Sequence, residues 1–206
     1  MAHRSEPRFL VLHGLRLKGF GEPPAIGTAV GLDAATVQEH LAKLQVEDLV
    51  LRRDGRLAGW ALTPAGRVEQ QLLAAADAAA AGATGVVRDA YERLLTINAA
   101  LLGVCTDWQV RGEAPNDHTD AAYDAAVLDR LEEIHERVVP ILTDLSAALP
   151  RHSPYAPRFA AAIARLRRGE LEWFTKPLID SFHTIWFELH EDLLSTLGIE
   201  RSQESA

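Results

Sequence analysis

Several side chains in the second half of the sequence are of types that bind ligands or metals, yet they fall where apolar residues belong. His183 and His190 are spaced i, i+7 within one apolar arc. His135 lies on the apolar face of another helical stretch, and Asn98 stands among Leu94, Leu95, Leu101 and Leu102. A buried polar group needs a partner, so three readings stay open. These residues bond to each other, to backbone carbonyls or to acidic neighbours; or they line an effector pocket with Trp108, Trp173 and Trp186; or the histidines hold a metal or haem. Their spacing matches no zinc motif, since there is neither an i, i+4 histidine pair nor a cysteine pair. Glu132, Glu133 and Glu136 beside His135 suggest a carboxylate–histidine cluster, but a solvated acidic helix face explains them more simply. The single cysteine, Cys105, reads as a small buried hydrophobe. No phosphate loop, serine elbow or paired cysteine and histidine is present. The sequence therefore reads as a non-enzyme that needs no cofactor.

A second set of polar residues lies in the stretch Pro23–Arg67. Gly31 suits the left-handed end of a short apolar helix, and Asp33 stands where the next helix needs a cap. In that next helix Val37, Leu41 and Leu44 mark one buried face. The opposite face is Ala35, Thr36, Gln38, Glu39, Ala42 and Lys43, small or polar side chains suited to reading base edges. Glu39 is awkward there, because an acid repels phosphate; a pair with Lys43 at i+4 would answer it. Leu49–Arg53 reads as a strand, Asp54-Gly55 as a hairpin turn and Arg56–Leu62 as the return strand. Arg52, Arg53 and Arg56 crowd the hairpin tip, where they would meet a phosphate backbone. Thr63 and Pro64 then open a new helix.

The run Leu32–Leu49, followed by Leu62-Thr-Pro-Ala-Gly-Arg67, resembles the winged-helix domain of MarR-like and PadR-like bacterial transcriptional regulators. The resemblance covers roughly the first third of the chain. It implies a homodimer on double-stranded DNA, binding a pseudo-palindromic operator with affinity altered by a small ligand. It also implies that the helix Asp33–Glu47 enters the major groove. The second part departs from the family. MarR-like proteins usually carry a dimerising helix before the winged helix, whereas PadR-like proteins dimerise after it through a shorter extension.

Charge divides along the chain. Residues 1–70 hold 9 Lys/Arg against 8 Asp/Glu, and residues 71–206 hold 12 against 21. The net charge of −8 thus belongs to the second part, and non-specific affinity for nucleic acid should be weak. The chain lacks a run of about 18 uncharged apolar residues and a signal-peptide core. Together with the lone cysteine, this reads as a cytoplasmic protein without a membrane partner.

The fold expected is mainly α: a winged helix-turn-helix with a two-stranded wing over 1–70, an alanine-rich connecting helix over 71–85, and a helical bundle over 86–206. That bundle would carry dimerisation and any effector site. Its helices are expected at Val86–Val110, Asp120–Leu149 with a kink at Pro140, Arg158–Arg168, and Leu171–Leu197. The apolar arc of the last helix spans roughly 200° of the wheel, more than one layer needs, so its second layer is expected to be a partner subunit. Two other classes stay open: an adaptor whose winged helix no longer binds DNA, and a ligand- or metal-binding helical protein.

Overall fold

The computed structural model describes residues 3–55 and 58–199. The chain is mainly helical. Three helices open it: α1 (Pro7–Lys18), α2 (Pro23–Val30) and α3 (Ala34–Val46). Proline occupies the first turn of α1 and of α2, where the missing N–H costs nothing. Gly31 ends α2 in the left-handed conformation, and the Asp33 carboxylate caps α3 by accepting from the Thr36 N–H at 2.8 Å. Val37, Leu41 and Leu44 are wholly buried, as their spacing predicts.

Strands β1 (Val50–Arg53) and β2 (Gly59–Leu62) form an antiparallel hairpin with Val50 opposite Leu62 and Arg53 opposite Gly59. A third segment joins its edge: Gly21 and Trp60 exchange two backbone hydrogen bonds of 3.0 and 2.9 Å. Gly59 takes φ +147°, and a Cβ there would lie 3.1 Å from the Gly21 backbone. Helix α4 (Pro64–Ala80) then begins as expected, with the Thr63 hydroxyl accepting from the Gly66 N–H. Gly66 has a reason to be glycine: a Cβ there would stand 1.9 Å from the Leu49 carbonyl oxygen. The leucine-threonine-proline-alanine-glycine run is thus a packing motif, which seats the first turn of α4 on the start of the hairpin.

Helix α4 runs unbroken past residue 70, and packs against both α1 and α8 (Phe182–Leu197). Helices α5 (Thr84–Gln109) and α6 (Ala121–Ala148) form an antiparallel pair. Pro140 lies inside α6 without ending it. The loop between them holds a two-residue hairpin, β3 (Val110–Arg111) with β4 (Ala114–Pro115). A 3₁₀ turn at Pro150–His152 leads into α7 (Tyr155–Arg167), which starts earlier than the prolines suggest because Pro157 fits in its first turn.

The expected helix over Leu171–Leu197 is corrected. Its first part is a 3₁₀ turn, Leu171–Trp173, and an irregular segment through Pro177 and Leu178. Ser181 then caps a separate α8. A proline with a serine four residues on makes a fresh start cheaper than a bent helix.

Helix α8 is the central element, packed on α1, α4, α5 and α7. Much of its wide arc is covered within the chain, with α1 and α4 on one side, while Phe187 stays 45% exposed. Three polar residues of α8, Glu188, Asp192 and Ser195, are buried as well. The apolar cores stay distinct. One cluster fills α5–α8, another fills α1–α3 with the hairpin, and a small one joins α1, α2 and α4. No described helix is long and apolar enough to cross a membrane.

Candidate nucleic-acid interface

The outer face of α3 is open to solvent. Ala35, Gln38, Glu39, Ala42 and Lys43 are exposed, and Val46 is 86% exposed. The hairpin follows directly and packs on the same helix. Most of the polar groups there already have partners. The Thr36 hydroxyl donates to Asp33 at 2.7 Å, so it helps to fix the cap. Lys43 donates to Glu39 at 2.6 Å, the i+4 pair that the sequence suggested. Arg52 forks onto Glu22, with contacts of 3.1 and 3.4 Å, and lies over the Trp60 ring at 5.8 Å. Gln38 and Arg53 are exposed and have no partner among the described residues. Arg56 lies outside the described residues. Hydrogen bonding to Lys43 lowers the Glu39 carboxyl below its ordinary value, and bonding to Thr36 does the same for Asp33. Both stay ionised, so any anion at this face meets acids as well as bases. Exposed pairs of this kind are weakly held and exchange readily for other partners.

The second-half candidates do not converge. Trp186 donates its indole N–H to the Asn98 side-chain oxygen at 3.1 Å, so these two satisfy each other. Trp108 packs against Phe174 and His118. Trp173 lies under the Arg165 guanidinium, 4.1 Å from its ring centroid. His135 contacts Phe159 and Phe182 at ring distances of 6.5 and 6.4 Å, and burial lowers its pKa. His190 stacks on Tyr91. His183 borders a cleft that is also lined by Leu17 and Lys18 of α1 and Ala25 of α2. Among the described residues no group of three or more His, Cys, Asp or Glu is placed to hold a metal ion. Burial pushes the Cys105 thiol up to about 11, leaving it an inert thiol at neutral pH.

A polar constellation that the sequence did not disclose lies where the N-terminal helices meet α8. Arg151 donates to Asp192, to Thr196 at 2.8 Å and to Asp77 at 3.2 Å, and its Nη1 lies 2.9 Å from His13 Nε2. His13 also stands 3.1 Å from Asp192. The Tyr155 hydroxyl donates to Asp192 at 3.1 Å, and Gln70 reaches His13 Nδ1 and Ser195. Arg151, Asp192 and His13 are each only 2% exposed at the side chain. Burial alone would raise the Asp192 carboxyl, but Arg151, His13 and His152 hold it well below the ordinary carboxylate range. Burial lowers the His13 imidazole, with Arg151 acting the same way and Asp192 opposing. His13 is therefore neutral beside a charged Arg–Asp pair. The signal was out of reach in sequence, because Arg151 and Asp192 are far apart and each sits in a locally polar stretch. A second ionic group braces the other end of the same junction. There Lys18 and Arg158 share Asp180 and Glu188, and Arg16 donates to Glu191.

Comparison with protein-family models, curated proteins and solved structures returns no match.

Proposed function

We propose that the chain is a DNA-binding transcriptional regulator in which α2, α3 and the β1–β2 hairpin act as a winged helix-turn-helix of the MarR-like or PadR-like kind. The observation that carries this is the solvent-exposed side of α3, with exposed Arg52 and Arg53 on the hairpin whose first strand packs on the same helix. A helix of this size fits the major groove, and an adjacent hairpin reaches the backbone. Gln38 reads a base edge; Lys43 and Arg52 leave Glu39 and Glu22 for phosphates; Arg53 meets the backbone directly. Thr36 serves first as the capping partner of Asp33. Its hydroxyl reaches DNA only by giving up that bond. The homodimer is what the resemblance implies, and repression is our own reading of its action.

A second reading, an adaptor that docks protein on α3, is favoured by the exposed Val46 beside Ala42 and the acids Glu39 and Glu47. An electrophoretic shift assay on the DNA upstream of the protein's own gene separates the two. The regulator gives a shift that is competed more strongly by that fragment than by unrelated DNA, and that weakens as salt rises. No shift at low salt rejects it in favour of the adaptor.

A further inference from the structure

A cleft of about 640 Å³ opens between the N-terminal unit and the start of α8. This lies within the roughly 300–1,000 Å³ of ordinary small-molecule sites. One wall is Leu17, Phe20 and Ala25; the other is Leu178, Ile179 and Phe187. Phe187 is 45% exposed and Leu178 79% exposed, an apolar lip of the kind that marks a binding surface. Leu178 also holds φ +66°, a conformation leucine rarely takes.

The polar lining selects the ligand's charge. Lys18 is committed to Glu188 at 2.7 Å and Asp180 at 3.3 Å, so among the described lining residues an anion finds no free cation. A cation would have to displace Lys18 and Arg158 from Glu188, or Arg52 from Glu22. The His183 ring remains. It borders the cleft half-buried and makes no hydrogen bond or ion pair among the described residues. Its backbone N–H is pinned to the Phe174 carbonyl at 3.0 Å, which fixes the ring's origin.

We propose that this cleft binds an uncharged, mainly apolar ring compound, packed between Phe20 and Phe187 with one hydrogen bond to the His183 imidazole, and that its occupancy reaches the DNA-facing hairpin through Glu22. The cleft wall includes Gly21 and Glu22. Gly21 is bonded to Trp60 of β2, and Glu22 holds Arg52 of β1. A ligand that displaces this segment changes both the hairpin's edge and the availability of Arg52. The binding site stands by itself; its effect on the hairpin rests on the DNA-binding reading.

The test is a fluorescence titration of the whole chain with N-phenyl-1-naphthylamine, an uncharged apolar ring probe that brightens when buried. One saturable site is expected. Ala25→Trp, which fills the cleft from an exposed position, should weaken binding about tenfold or more, and His183→Ala severalfold. Leu102→Ser, at an exposed leucine on α5, should change nothing. Unfolding midpoints of the variants confirm that each is folded. No saturable site, unaltered binding in Ala25→Trp, or an equal loss in Leu102→Ser overturns the site. Saturating probe should then shift wild-type DNA affinity at least about threefold and leave Glu22→Gln unresponsive. DNA binding that ignores a bound probe overturns the coupling alone. An absence of any DNA binding overturns the regulator reading and its coupling, and leaves the site standing.

Discussion

The α3–hairpin face and the junction beneath α1 use the same side-chain chemistry to opposite ends. On the face, Lys43 holds Glu39, and Arg52 holds Glu22 with Asp54 at 3.9 Å, all in solvent. At the junction, Arg151 gathers Asp192, Asp77, Thr196 and His13 out of solvent. A surface pair gains little and is easily exchanged. A buried cation with several partners cannot lose one without leaving a charge stranded. The first arrangement suits recognition and the second suits fixing one body against another. Under the proposed function, binding falls to α3 and the hairpin, and the junction would hold that face at a set angle to the helical body.

The comparison breaks most visibly at Asp192. Asp192→Ala leaves Arg151 without its principal partner and should cost about 3–5 kcal/mol, the usual penalty for breaking a buried pair. Urea unfolding followed by circular dichroism measures it; a loss indistinguishable from zero would show that the cluster is not the clamp described. Gly66→Ala tests the seat of the hairpin, where the added methyl meets the Leu49 carbonyl. A cost of about 1–3 kcal/mol is expected from overpacking, again read from the urea midpoint.

At the recognition face the signature reverses. Gln38→Ala should leave the unfolding midpoint unchanged and cost about 1–3 kcal/mol in specific DNA affinity, because a base contact carries discrimination and no fold stability. Anisotropy titrations on specific and scrambled duplexes separate the two effects. The gentlest effect is on pH. The His13 imidazole is lowered in the folded chain, so below the ordinary value of about 6.5 the unfolded chain binds a proton that the folded chain refuses. Stability should hold above that pH and fall as pH drops beneath it. His135 and His183, also lowered by burial, act in the same direction. The lowered Asp192 adds a further loss on acidification below its ordinary range, near 4. His13→Gln should flatten the upper part of this profile in denaturation curves taken from pH 8 to 5.

What was legible in sequence is what local chemistry decides. Asp33 and Thr63 announce their helices because a cap is read from its neighbours, and Val37, Leu41 and Leu44 announce a buried face by spacing. The i+4 pairing of Glu39 with Lys43 was visible for the same reason. What escaped depends on distant partners. The arc of α8 was wide enough to require two layers, but periodicity cannot say whose layer covers it; α1 and α4 of the same chain cover part of it, and Phe187 is left exposed. Asp192 and Arg151 gave no sign of their burial, because nothing nearby in sequence shows the partner that permits it. Of the candidates on apolar faces, Asn98 and Trp186 bond to each other, His190 stacks on Tyr91 and His135 packs beside Phe159, pairings that periodicity cannot show.

The most direct test of the account is the salt dependence of duplex binding by the wild-type chain and by a Lys43→Ala, Arg52→Ala, Arg53→Ala variant. Each phosphate contact contributes about 0.9 to the slope of log affinity against log salt. The account predicts a steep negative slope for the wild type, reduced by about two to three in the variant, with no change in unfolding midpoint. Identical slopes for the two proteins would contradict it.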